Sequence, residues 1–143
     1  MRFRAMTDYL NISMTPQEIG AVSNLGLAHI GDSVYELLVR SYIITHGKHT
    51  NGGLHFATVR FVSAPAQARA MELLLPLLTE EELAVYKRGR NSKVHSVPKN
   101  ADIGEYHTAT GLECLFGWLY LNARHQRINE LFAVITENED HAS

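Results

Sequence analysis

Apolar residues recur at steps of three, four and seven along nearly the whole of this 143-residue chain, and strict alternation bounded by hairpin turns is scarce. That period lines up side chains on one face of a helix and gives a sheet no coherent apolar side. The chain is therefore expected to be all-α, a helical bundle. Capping signals divide it. Thr15-Pro16-Gln17-Glu18 joins an N-cap hydroxyl, a proline at the first helical position and a reciprocal glutamate, so a helix starts there. A break near Ser23-Asn24 precedes the longest and most apolar run, Leu25 to Thr45, where Leu27, Ile30, Val34, Leu37, Leu38, Ser41 and Ile44 keep helical spacing until His46-Gly47-Lys48 stops it. Asn51-Gly52-Gly53 starts a helix to about Val62, with Leu54, Val59 and Val62 inward. Ser63-Ala64-Pro65 restarts the chain for a helix over Ala66 to Leu78, and Thr79-Glu80-Glu81-Glu82 is a capping box for the next. Asn91 to Asn100 reads as a loop, Ile103 to Leu121 as an apolar helix capped by Asp102, and Arg124 to about Glu137 as the last helix before a fraying tail.

With 45% hydrophobic and 20% charged residues and no long linker or repeat, residues 1–143 are expected to share one core in a single domain. The formal net charge of -2 excludes a uniformly basic coat, so any polyanion site must be a local patch. A lone cysteine, Cys114, excludes an internal disulfide framework and a cysteine-based zinc finger, and fits a reducing cytoplasm. Its apolar neighbours point to an inert core thiol. No apolar run approaches the roughly 20 residues of a membrane-spanning helix, and polar positions interrupt any export signal at the N-terminus. The eight histidines show no compact metal-binding spacing.

Two acids stand out against this background. Asp32 lies inside the apolar stretch Leu27-Ala28-His29-Ile30-Gly31-Asp32-Ser33-Val34, and Glu113 lies inside Leu112-Glu113-Cys114-Leu115-Phe116-Gly117-Trp118. A buried carboxylate needs compensation, and a glycine in a helix interior costs about 1 kcal/mol unless another backbone comes close. If Gly31 and Gly117 mark a close crossing, Asp32 and Glu113 face each other and must share a proton or a cation. The ordinary alternative is an exposed Asp32 at a kink and a separate polar partner for each acid. Glu36 and Arg40, four apart in the favourable order, read as a surface ion pair.

Charge is also unevenly spread. Between Leu83 and Ala101 there is no acid, while Lys87, Arg88, Arg90, Lys93 and Lys99 occur among Asn91, Ser92, Ser96 and Asn100. Cations at a helix C-terminus account for Lys87 and Arg88 alone. The whole stretch suits phosphate oxygens, and without an aromatic run it suits a duplex backbone better than stacked single-stranded bases.

In combination these residues resemble the ribonuclease III catalytic-domain family, and more closely its short Mini-ribonuclease III branch. Ile30-Gly31-Asp32-Ser33-Val34 stands where the family signature ends, and Val62-Ser63-Ala64, Gln67-Ala68, Lys87-Arg88-Gly89-Arg90-Asn91, Pro98-Lys99-Asn100 and Thr110 with Glu113 extend the match over roughly residues 20 to 135. The resemblance implies an all-α endoribonuclease working as a homodimer on double-stranded RNA with Mg²⁺, without a separate double-stranded-RNA-binding domain. It implies that Asp32 and Glu113 are the catalytic, metal-binding carboxylates, that products carry 5′-phosphate and 3′-hydroxyl ends, and that the substrate is a stem of precursor large-subunit (23S) ribosomal RNA. Ribosomal proteins on that RNA are further partners it leaves open. Ordinary ribonuclease III has additional acids where Ala28 and Thr110 stand here; the Mini-III pattern shares both losses. The competing readings are a non-catalytic RNA-binding or ribosome-assembly module on the same fold, and a small-molecule helical metalloenzyme.

Overall fold

The computed structural model describes residues 6–47, 50–92 and 97–141. Among the described residues every regular element is helical. They are α1 (Pro16–Gly20), α2 (Asn24–His46), α3 (Asn51–Val62), α4 (Ala64–Leu74) with a 3₁₀ turn at Leu75–Leu77, α5 (Glu80–Arg90), α6 (Ile103–Leu121) and α7 (His125–His141). The caps are where the sequence puts them. Thr15 and Thr79 each close a capping box with Glu18 and Glu82, Ser23 accepts from the Gly26 amide, and Asp102 accepts from the Glu105 amide.

α6 is the central element, wrapped by α2, α5 and α4, with α7 closing the side. Its Leu112, Leu115, Phe116 and Leu119 are completely buried and meet Tyr35 and Val39 of α2, Met71 and Leu74 of α4 and Leu131 of α7 in one core. Tyr35 sets its ring edge-on to both Phe116 and Phe132. At the far side, Glu82 is 2% exposed yet carries charge: it accepts two hydrogen bonds of 2.8 Å from Arg127, whose guanidinium also donates to the Leu77 carbonyl. Burial alone would push the Glu82 carboxyl up, but these bonds outweigh it and hold it below the usual carboxylate value.

Four elements differ from the sequence expectation. On α2 the inward stripe is Leu27, Ala28, Gly31, Val34, Tyr35, Val39 and Ile43, whereas Leu37 is 58% and Ile44 69% exposed. Hydropathy favours the large side chains, but the crossing with α6 needs small ones. On α3 only Phe61 is fully buried and Val59 is 41% exposed, because the helix lies at the periphery against α2 and α4. α4 begins two residues early, at Ala64, with Ser63 as cap and Pro65 in the first turn where no amide is needed. It stops at Leu74 because Pro76 lacks an N–H and its ring collides with the carbonyl four residues back. α7 runs on to His141 instead of fraying after Glu137: Asn138 donates to the Val134 carbonyl and Arg60 pairs with Glu139 at 3.4 Å.

Candidate active site

The geometry of the site is set by two absent side chains. A Cβ on Gly31 would overlap the Glu113 carbonyl oxygen, and one on Gly117 would overlap the Leu27 carbonyl oxygen. The backbones of α2 and α6 therefore touch, which only glycine at both positions allows. Asp32 follows the first glycine and Glu113 is the residue it touches, so both carboxyls emerge at the same crossing.

Glu113 is half-buried and its carboxyl is pushed up to about 8, first by burial and then by the hydrogen bond and negative charge of Asp32. The expected juxtaposition of the acids is therefore present, with Asp32 exposed at the rim and Glu113 deeper. Both line a cavity of about 930 Å³ between α2, α4 and α6. Ala28 and Thr110, which replace acids of ordinary ribonuclease III in the resemblance, line it too. Thr110 spends its hydroxyl proton on the Tyr106 carbonyl at 3.0 Å.

Three contributors escaped the sequence reading as site residues. Gln67 of α4, Tyr106 of α6 and His29 of α2 all line the cavity. Gln67 is 4% exposed, an amide among Ala66, Ala70 and Met71. A polar residue on an otherwise apolar helical face was the available signal.

A close packing of α5 on α6 brings the end of α5 near the cavity. A Cβ on Gly89 would crowd the Cys114 side chain, and one on Gly111 would crowd Tyr86. Ser92, just beyond α5, lines the cavity, and the Arg88 carbonyl accepts a bond of 3.4 Å from Asn24 at the start of α2. Lys87, Arg88 and Lys99 are exposed; Arg90 is half-buried, stacked over the Tyr86 ring and bonded to Asn91. Lys93 lies outside the described residues. Cys114 is the inert thiol the sequence suggests: it is buried, donates to the Asn24 carbonyl, and burial followed by the charge of Glu113 pushes it up to about 11. Glu36 and Arg40 form the exposed pair at 3.6 Å.

The donor set fits a hard divalent cation. Two adjacent carboxylates repel unless protonated or bridged by positive charge. Among the described residues no group of three or more His, Cys, Asp or Glu side chains surrounds a metal position; carboxylate oxygens are the donors that hard cations such as Mg²⁺ take.

The ribonuclease III domain model matches residues 25–124, a span that contains both glycines, both acids and the basic end of α5. The chain belongs to the ribonuclease III family. Within it, similarity runs to Mini-ribonuclease 3 proteins: that of Enterococcus faecalis is 44% identical, with 77% of this chain and 85% of the relative covered. That of Brevibacillus brevis is 47% identical, covering 78% and 86%, and that of Clostridium tetani is 39% identical, covering 94% and 96%. A crystal structure of a Fusobacterium nucleatum protein superposes with a TM-score of 0.76 at 29% identity, over 85% of this chain and 97% of that one. Membership makes the chain an endoribonuclease of double-stranded RNA, a metal-dependent hydrolase. Among the described residues no helix is long and apolar enough to cross a membrane.

Proposed function

We propose that Asp32 and Glu113 hold Mg²⁺ in the cavity and that the chain cuts both strands of an RNA stem as a homodimer. The observation that carries this reading is the meeting of the two carboxyls at the Gly31–Gly117 crossing, inside one cavity. A divalent cation there supplies positive charge to the phosphate and promotes ionisation of water at neutral pH. The chain's own part is to hold that charge in a fixed place and to expel the proton that Glu113 otherwise retains. Water adds to phosphorus as the P–O3′ bond breaks, the attacking water gives up a proton and the departing oxygen takes one up, giving 5′-phosphate and 3′-hydroxyl ends. Lys87, Arg88, Arg90, Lys93 and Lys99 grip backbone phosphates, so the single domain of residues 1–143 supplies its own hold on the duplex.

Pairing of two copies is supported by apolar surface on α2 and α3. Leu37, Ile44, Phe56 and Val59 are exposed, and a groove of about 680 Å³ lined by Ile43, Ile44, Leu54 and Val59 runs between the helices. A C₂ pair would present two sites to opposite strands. The stem of precursor 23S ribosomal RNA is the substrate we propose on family resemblance, with the cytoplasm as the compartment.

End-labelled duplex RNA incubated with Mg²⁺ or EDTA tests the reaction. Asp32→Asn and Glu113→Gln should leave folding intact while cleavage falls by more than the roughly 10–100-fold typical of groups that only support a metal ligand. Wild-type rates in either variant at limiting Mg²⁺ would remove that residue from the mechanism.

A further inference from the structure

Among the described residues three buried side-chain polar atoms have no partner: the Tyr35 hydroxyl, His107 Nδ1 and Gln67 Oε1. Of these residues only Gln67 lines the cavity that holds both acids. Its carboxamide has a fixed orientation, because Nε2 donates to the Val62 carbonyl at 3.0 Å, across the turn between α3 and α4. One N–H of the amide is thus engaged, and the carbonyl oxygen is the atom with no partner.

An unpartnered amide oxygen is selective in what it accepts. A phosphate oxygen or an ionised carboxylate brings no proton to it, so neither Asp32 nor the RNA phosphates can satisfy Gln67 Oε1. An O–H donor can. The water coordinated by a divalent cation is a strong one, since the cation draws electron density from its oxygen. This chain also leaves more of that water in place than a site with extra acids would: Ala28 and Thr110 line the cavity without carboxylates, and Mg²⁺ keeps several waters when protein ligands are few. A neutral acceptor suits the location, because a third anion would add to the repulsion already present between Asp32 and Glu113.

We infer that Gln67 is a positioning residue whose Oε1 accepts a hydrogen bond from the hydration water of a divalent cation held by Asp32 and Glu113. The inference rests on the proposed role of those acids. It gives the α3–α4 turn a function: the Val62 carbonyl, by holding the amide nitrogen, decides which end of Gln67 is free. Groups that orient metal ligands typically contribute about 10–100-fold to metal affinity.

Titration of the RNA-free full chain with Mn²⁺, read by electron paramagnetic resonance of the free ion, separates the possibilities. Wild type should bind and Asp32→Asn should not; equal binding by the two would overturn the role of the acids, and the role of Gln67 with it. With that control satisfied, Gln67→Leu should weaken Mn²⁺ binding by about 10-fold or more. Gln67→Glu, which adds an anionic acceptor at the same reach, should tighten it. Because tightening is not an outcome of lost folding, Gln67→Glu decides the matter even if Gln67→Leu unfolds on heating at lower temperature or fails to fold. Wild-type Mn²⁺ affinity in both variants would overturn the inference while leaving Asp32 and Glu113 in place. Should Gln67→Leu keep wild-type Mn²⁺ affinity but lose discrimination between ribose and 2′-deoxyribose duplexes, the donor is the RNA 2′-hydroxyl and the water assignment is wrong.

Discussion

Glu113 links the chemistry of the site to the stability of the fold. Burial and the neighbouring Asp32 push its carboxyl up to about 8, against an ordinary value of 4.5. Between those values the folded state holds a proton that the unfolded chain has released, so stability falls as pH rises through the window from about 4.5 to 8. Denaturant unfolding in EDTA should show that decline, and Glu113→Gln should flatten it. Metal binding should expel the proton, so that Mg²⁺ or Mn²⁺ affinity rises with pH over the same window and calorimetry in buffers of different ionisation enthalpy detects proton release. A pH-independent affinity would separate Glu113 from the metal. Gly31→Ala should act by a different route, forcing the α2 and α6 backbones apart at the point where the acids meet. Overpacking of this kind costs about 1–3 kcal/mol or more, whereas Gly20→Ala, with nothing within 4 Å of the added Cβ, should be nearly silent in the same unfolding assay. Both acids were legible in the sequence because an acid in an apolar run and a glycine in a helix interior are each local anomalies. Gln67 was marked only as a polar residue on the apolar face of α4; that its oxygen is buried without a partner beside the cavity depends on packing that the local pattern does not record.

At the scale of elements, boundaries that depend on local chemistry were readable and faces that depend on neighbours were not. The caps at Thr15, Ser23, Thr79 and Asp102 and the span Ile103–Leu121 follow from residue types within four positions of one another. The inward stripe of α2 does not, because α6 selects Ala28 and Gly31 for closeness over Leu37 and Ile44 for hydropathy. The end of α7 likewise depends on Arg60, a residue 79 positions from its partner Glu139. The Glu82–Arg127 contact is the element-scale counterpart of the Gly31–Gly117 crossing, tying α5 to α7 and, through the Leu77 carbonyl, to the turn after α4. Arg127→Met would leave a charged carboxylate with almost no exposure and no cation. Breaking a buried pair from one side costs roughly 3–5 kcal/mol, and urea unfolding should register a loss of that order. Adding Glu82→Gln to Arg127→Met should recover part of it, since the uncompensated charge is then gone.

For the whole molecule, net charge is the least informative number and its placement the most. The chain sums to -2, yet its acid-free stretch from Leu83 to Ala101 carries five Lys and Arg, and Ser92 within it lines the cavity that holds Asp32 and Glu113. The close packing at Gly89 and Gly111 holds the basic end of α5 against α6, with Ser92 just beyond it at the cavity. Two copies paired through α2 and α3 would place two such stretches along one duplex, and sedimentation at low micromolar concentration should return about twice the 16.0 kDa of a single chain. Binding to duplex RNA should then be steeply salt-dependent, because each phosphate neutralised by Lys or Arg releases condensed counterion. Neutralising Lys87, Arg88, Arg90 and Lys93 together should weaken binding and flatten the slope of log affinity against log salt by roughly 0.7–0.9 for each phosphate that no longer meets a cation. Arg90 should contribute least of the four, since its guanidinium already stacks on Tyr86 and bonds to Asn91. Duplex DNA of the same length should bind more weakly than RNA: the phosphate charge is retained, but the 2′-hydroxyls and A-form groove are not. An unchanged salt slope in the four-site variant would show that these cations face solvent and leave the grip on RNA to other residues.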